Sequence, residues 1–228
     1  MALPTETVYG LGGRALDGTA CAAIFEAKGR PLTDPLIAHL PSPEWLSKLA
    51  NPCGLAKALA AAFWPGPLTL VVPRRNNVPD LLTAGQSTVA VRMSAHPVFK
   101  KVVENLNEPI AAPSANRFGR ISPTRADHVV EELGGKIPLV LDGGPCEHGI
   151  ESTIIFPRDG VLHILRRGPI LTSDLASFAP IARAQSTVKA PGTLKSHYAP
   201  RTPMKLCRIG EAVPQEGRRC GLLAWSSS

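Results

Sequence analysis

Lys28 and Arg30 stand either side of Gly29, at the end of a short helical pattern running from Thr19 to Ala27. Thr19 is its expected N-cap, with Ile24 and Phe25 as core positions. Gly29 lets the chain leave the helix and Pro31 prevents its return. With Pro35 a few residues on, this predicts a stiff loop from which both cations project. Such a loop orders two long side chains at little further entropic cost. An ordered Lys and Arg form an oxyanion site, the first as a compact point charge and the second as a planar fork. An isolated Lys-x-Arg most often reads as a solvated basic loop. A second pattern raises this one: Pro109-Ile110-Ala111-Ala112-Pro113-Ser114-Ala115-Asn116. Its alanines leave room for a flat ring or a phosphate. The Ser114 hydroxyl and the Asn116 amide can bond ribose or phosphate oxygens. Gly10, Gly12 and Gly13 allow close backbone approach to a ligand.

Other polar side chains stand alone in apolar runs. His39 is the one polar member of Leu36-Ile37-Ala38-His39-Leu40, where a hydrogen-bonded core histidine is the plainer reading. Arg92 and Arg166 each close an apolar strand pattern, where arginine either snorkels to solvent or meets an anion. Arg167 follows directly, which leaves two candidates for that second position. Thr5 and Thr7 fit ordinary turn chemistry, and Ser152 belongs to a polar cluster ahead of a strand. Lys195, His197 and Tyr198 lie between Pro191 and Pro200, in a stretch otherwise composed like an inert linker.

The elements that must position these groups alternate. Strands are expected at 36–40, 68–73, 88–93, 109–112, 138–144, 149–156 and 161–168. Helices are expected at 55–63, at 96–106 with Val98, Val102, Val103 and Leu106 inward, at 125–133 capped by Thr124, and at 172–179. Several strands are wholly apolar and the polar motifs sit at strand ends. The fold class is therefore α/β, with a twisted, mixed, open sheet flanked by helices and a ligand site along one edge or face. No Gly-x-Gly-x-x-Gly opens a helix and no Gly-x-x-x-x-Gly-Lys-Ser/Thr occurs, which excludes Rossmann and Walker-type phosphate binding.

Composition sets the outer bounds. The chain has 228 residues, 44% of them hydrophobic, enough for one sizeable core and a small appendage. Its formal charge of +7 fits an anionic partner, nucleotide or RNA, without choosing between them. No apolar run reaches membrane-spanning length and no leader is visible, so a cytoplasmic protein without a membrane partner is expected. Cys21, Cys53, Cys146, Cys207 and Cys220 form no Cys-x-x-Cys and are expected to be reduced and mostly buried.

Taken together, Pro4-Thr5-Glu6-Thr7-Val8-Tyr9-Gly10-Leu11-Gly12, Lys28-Gly29-Arg30 and Pro113-Ser114-Ala115-Asn116 resemble the YrdC-like family, the threonylcarbamoyladenylate synthases. The resemblance runs from Pro4 to Pro203. It implies a YrdC-like catalytic domain at 1–179 whose N-terminal strand is incomplete. An interdomain linker acting as an active-site lid would follow at 180–203, then the start of a truncated C-terminal domain at 204–228. Met204 to Ile209 and Cys220 to Trp225 would be that domain's first two strands. The implied reaction joins L-threonine, bicarbonate and ATP into threonylcarbamoyl-AMP and pyrophosphate, for use by downstream threonylcarbamoyl-transferase machinery on tRNA. It also implies roles. Lys28 and Arg30 are catalytic and, with Arg166, hold phosphate and carbamate charge. Ser114 and Asn116 meet the nucleotide. Thr5, His39, Arg92 and Ser152 recognise threonine, and Lys195, His197 and Tyr198 belong to the lid. Mg2+ is implied with ATP, and no dedicated metal ligands are assigned.

A second reading is a non-catalytic module binding double-stranded RNA or tRNA, supported by the basic balance. A third is a folded but inactive fragment.

Overall fold

The computed structural model describes residues 1–182, 188, 190, 202, 204–208, 217, 219–221 and 223. Its strands are β1 (Ala2–Leu3), β2 (Gly10–Leu11), β3 (Gly13–Arg14), β4 (Ile37–His39), β5 (Leu68–Pro73), β6 (Thr88–Arg92), β7 (Ile110–Ala111), β8 (Thr153–Arg158) and β9 (Val161–Arg166). The helices are α1 (Gly18–Lys28), α2 (Glu44–Leu49), α3 (Gly54–Phe63), α4 (Asp80–Thr83), α5 (Pro97–Leu106), α6 (Ala126–Leu133) and α7 (Thr172–Ala176). Seven strands form one sheet in the order β3-β7-β4-β6-β5-β8-β9. The β4–β6 and β5–β8 pairs are parallel and the others antiparallel, the mixed sheet expected.

Strand alternation gives the sheet two unlike faces. Ala38, Leu70, Val72, Val89, Val91 and Ile155 enter the main core, with Phe25 and Ile24 of α1 and Leu59 of α3. The alternate residues Ile37, Val71, Ala90, Ile154 and Phe156 form a smaller cluster on the other face, completed by Ala190 and Val188. At the β7 end that second face is covered by α5, whose Phe99 and Val103 pack on Ile110 and Ala112.

Local departures have physical causes. α1 begins at Gly18, and its cap is Asp17 rather than Thr19. The Asp17 carboxylate accepts from the backbone N–H groups of Thr19 at 2.8 Å and Ala20 at 3.2 Å. Gly29 ends the helix at φ 61°, with the Arg30 N–H returning to the Phe25 carbonyl at 2.9 Å. Thr124 does not cap α6; Arg125 holds that place without a side-chain bond. In α5 the buried side chains are Phe99 and Val103, with Val102 partly buried against the same cluster, while Leu106, in the last turn, is exposed. The stretch 138–144 is no strand. Only Val140 bridges Ala2, with Leu139 and Leu141 bonded to the Ala2 backbone, because so short a partner offers no ladder. Cys21, Cys53, Cys146 and Cys207 are free thiols, but of the five cysteines only Cys21 is buried; Cys53 precedes α3 at the surface. Residues 204–208 carry no regular structure and Leu206 is exposed, against the strand expected from Met204; most of 222–228 lies outside the described residues.

Candidate active site

Strand register brings the site together. His39 of β4 lies beside Arg92 of β6, Arg92 beside Thr69 of β5, Thr69 beside Ile154 of β8, and Ile154 beside Arg166 of β9. Paired residues point to the same face, so one transverse row carries His39, both arginines and Thr69. His39, Arg92 and Arg166 of this row border a cleft. Thr5, Arg30, His39, Arg92, Ser114 and Arg166 all line it, joined by Thr7 and Glu151. Lys28, Asn116 and Ser152 stand behind this lining, not on it. The Gly10 backbone also borders the cleft, with Ala112 so close that a Cβ on Gly10 would lie 3.1 Å from the alanine methyl.

Each arginine of the cleft is held by a carboxylate. Arg92 meets Glu6 at 2.6 Å, Arg30 meets Asp34 at 2.9 Å, and Arg166 meets Glu151 at 3.6 Å. The first two pairs are almost wholly buried. Burial raises the Glu6 pKa, but the Arg92 charge and hydrogen bonds from Ser94 and Arg92 outweigh it and bring it to about 2. Burial likewise opposes ionisation of Glu151, yet Arg166 and a 2.8 Å bond from the Ser122 hydroxyl leave its pKa lowered. For Asp34 burial dominates, and its pKa is raised despite Arg30 and Lys28.

Lys28 does not project from a loop. It is the last residue of α1, 3% exposed, and its ammonium donates to the main-chain carbonyls of Ser114 and Asn116. Burial, then repulsion from Arg30, lowers its pKa to about 7. Arg30 is also turned inward, donating to the carbonyls of Asp34 at 3.1 Å and Pro35 at 2.8 Å. The helix exit at Gly29 is tied to the chain after Asn116, where the Phe118 N–H bonds the Lys28 carbonyl at 2.9 Å. Asn116 donates to the carbonyls of Arg117 and Arg120, at 2.8 and 3.0 Å, while its buried Oδ1 has no partner. That oxygen can accept a ligand's N–H.

The Thr5 hydroxyl donates to the Val8 carbonyl at 2.6 Å and accepts from the Val8 N–H at 3.1 Å, which folds the 5–8 turn. It also lies 2.9 Å from the Thr7 hydroxyl. His39 is 2% exposed, stacks at a tilt on Phe99 with centroids 4.6 Å apart, and keeps a buried Nδ1 without a partner. Burial, then the Arg92 charge, lowers its pKa to about 3, so it stays neutral. Ser152 sits 2.7 Å from Thr69 Oγ1, and its Oγ accepts from Arg166 at 2.9 Å. Arg167 is exposed, so Arg166 is the arginine that faces the cleft. Lys195, His197 and Tyr198 lie outside the described residues.

Sequence reasoning missed Glu6, Thr7, Asp34 and Glu151 as site residues. Glu6 and Thr7 lie inside the motif that flagged Thr5, and Glu151 adjoins Ser152, but nothing local marks a carboxylate as buried. Asp34, four residues after Arg30, had a readable signal as an ion-pair partner.

The family model Sua5_yciO_yrdC, described as Telomere recombination, matches residues 1–168. The model for the Threonylcarbamoyl-AMP synthase C-terminal domain matches residues 162–227. Threonylcarbamoyl-AMP synthase of Pyrococcus abyssi is 47% identical, the match covering 100% of this chain and 73% of the relative. The Bacillus subtilis threonylcarbamoyl-AMP synthase is 41% identical, with 98% and 69% covered. Among solved structures, P. abyssi Sua5 complexed with L-threonine superposes with a TM-score of 0.81 at 48% identity. That match covers 87% of this chain, which spans 61% of the length of that one. Escherichia coli YciO, at 20% identity and a TM-score of 0.65 over 76% of this chain and 84% of that one, shares the fold. By the extent of these matches, the chain belongs to the YrdC-like family of threonylcarbamoyl-AMP synthases.

Proposed function

We propose that the chain acts as a nucleotidyltransferase, making L-threonylcarbamoyl-AMP and pyrophosphate from L-threonine, bicarbonate and ATP. The observation that carries this reading is the convergence of Arg30, Arg92 and Arg166 on one cleft with His39, Thr5 and Ser114. The relatives' name and the threonine complex of P. abyssi Sua5 point the same way. In the reaction the threonine amine attacks a carbon dioxide equivalent. The resulting carbamate oxygen attacks the α-phosphate and pyrophosphate leaves. Neither step needs a protein nucleophile. Both gain from holding anions in register and from cations facing the charge that develops.

In this reading Arg30 and Arg166 face the phosphates and carbamate. Lys28 adds its charge from behind and, through two carbonyls, sets the loop that carries Ser114 and Asn116 to the nucleotide. Thr5, His39 and Arg92 take threonine, and Ser152 acts through Arg166 and Thr69. The donor set in the cleft is mainly guanidinium and hydroxyl, which suits an anion rather than a resident cation. Mg2+ therefore enters as part of MgATP, held by phosphate oxygens. Closure by Lys195, His197 and Tyr198 would keep water from the labile carbamate. Transfer of the product to tRNA and a cytoplasmic site belong to the same proposal. Direct binding of tRNA or double-stranded RNA is the weaker reading, because Arg30 and Arg92 are buried and a duplex backbone needs exposed cations.

The test is pyrophosphate release from ATP, with L-threonine and bicarbonate omitted in turn. Release that needs both supports the synthase. Release indifferent to threonine overturns it. Salt separates the RNA reading, since backbone binding falls steeply as salt rises and threonine binding does not.

A further inference from the structure

One guanidinium of the cleft is clamped far more fully than catalysis by charge alone requires. Arg92 contacts Glu6 Oε1 through Nη2 at 2.6 Å, donates from Nη1 to Thr7 Oγ1 at 3.0 Å, and donates from Nε to the Gly66 carbonyl at 3.2 Å. Glu6 is fixed in turn by the Ser94 hydroxyl, which donates to its second oxygen. Glu6 and Ser94 are each 5% exposed and Arg92 3%. Arg92 and Thr7 line the cleft, whereas Glu6 lies behind them.

A buried ion pair of this kind is poor value as a stabiliser. Desolvating both ions consumes much of their attraction, and well-packed apolar residues in their place often do as well or better. Its effect on Arg92 is more specific. A long arginine stem has many rotamers, and ordering it when substrate arrives costs affinity. Glu6, Thr7 and Gly66 remove that freedom in advance, and they leave the guanidinium beside neutral His39 in the sheet register.

We infer that Glu6 is the positioning residue that preorganises Arg92 for the α-carboxylate of the amino-acid substrate, and that Ser94 completes the clamp. The inference rests on the threonine end of the cleft as assigned above. Glu6 touches no substrate and acts through Arg92.

The experiment is calorimetric titration of L-threonine and, separately, of ATP into the full chain, as wild type, Glu6→Gln and Ser94→Ala. Glu6→Gln removes the charge that orients Arg92, so the threonine Kd is expected to rise roughly tenfold to a hundredfold. The ATP Kd should stay within about twofold, because the perturbation is confined to the amino-acid end. Ser94→Ala keeps the ion pair, loosens Glu6 and otherwise removes only the long 3.3 Å bond from the His96 N–H, so a rise of about threefold for threonine alone is expected. Should Glu6→Gln not fold, with Arg92 stranded beside no counter-charge, Ser94→Ala decides. Equal threonine affinity in the folded variants, or parallel loss of threonine and ATP, would show a merely structural role and overturn the inference. A wild-type chain that binds ATP but no threonine would instead sink the assignment of the amino-acid end, and this inference with it.

Discussion

Lys28→Met is the perturbation that most directly probes the buried cation. Lys28 loses solvent on every side and faces Arg30, with the carboxylates of Glu151, Asp34 and Glu132 partly compensating. Its pKa falls from 10.5 to about 7. Between those values the unfolded chain binds the proton and the folded chain does not, so stability rises with pH across that window. Below about pH 7 both states are protonated and the burial penalty is present in full. At about 1.4 kcal/mol per pH unit, the whole shift corresponds to about 5 kcal/mol, of which about 3 is recovered between pH 7 and 9.5. Methionine keeps the stem and removes the titration. It also deprives the Ser114 and Asn116 carbonyls of their donor, at about 1–3 kcal/mol each. Near pH 7 the two effects roughly offset and the variant should be about as stable as wild type. Near pH 9.5 wild type should lead by about 3 kcal/mol more than at pH 7. Urea unfolding of both proteins at the two pH values reads this difference directly, since every other titrating group is common to them. Parallel pH dependence in the two proteins would mean that Lys28 keeps an ordinary lysine pKa, and the burial argument would be wrong.

Arg166→Ala should lower threonine-dependent pyrophosphate release at least tenfold, and Arg167→Ala should leave it within about twofold, because only Arg166 faces the cleft; equal losses in a steady-state assay would undo that distinction. L-Valine, nearly isosteric with threonine, should support little pyrophosphate release, because it leaves the site's hydroxyls and His39 unpaired; comparable release would remove those groups from side-chain recognition. Ala190 is 2% exposed against Ile37, Val71, Ala90, Ile154 and Phe156, so Ala190→Glu should expel this part of the chain from the sheet face. Faster proteolysis around residues 188–200, with adenylate yield reduced, is the expected readout, and an unchanged cleavage pattern would show that Ala190 anchors nothing.

Legibility followed the range of the interaction concerned. Leu68–Pro73 and the end of α1 at Gly29 were readable because apolar runs and a left-handed glycine act within a few residues. Stretch 138–144 read as a strand and is not one, because strand character there depends on a partner that turns out to be two residues long. Thr19 looked like the cap because it stood first in the helical pattern, yet Asp17 two residues earlier starts the helix, accepting from the Thr19 and Ala20 N–H groups with a stronger acceptor.

The site shows the same division in its charges. The cations were legible as types at element ends, and the structure does gather three arginines on one cleft. Their burial was not legible, because it is set by partners remote in sequence: Glu6 for Arg92, and the 114–116 carbonyls for Lys28. That pairing changes what the cations can do. A free arginine cluster would bind any polyanion and would be screened by salt. Arginines held by buried carboxylates keep fixed directions and a reduced net field, so selectivity comes from geometry more than from charge. On the function proposed above, the cleft distinguishes one amino-acid carboxylate from a nucleotide's phosphates. Arg92, held at 2.6 Å by a glutamate with a pKa of about 2, keeps one direction at one end of that cleft; Arg30 and Arg166 are fixed in turn, by Asp34 and the Pro35 carbonyl and by the Ser152 carbonyl and hydroxyl. Guanidinium groups fixed in this way select a ligand by the spacing of its anionic groups rather than by its total charge.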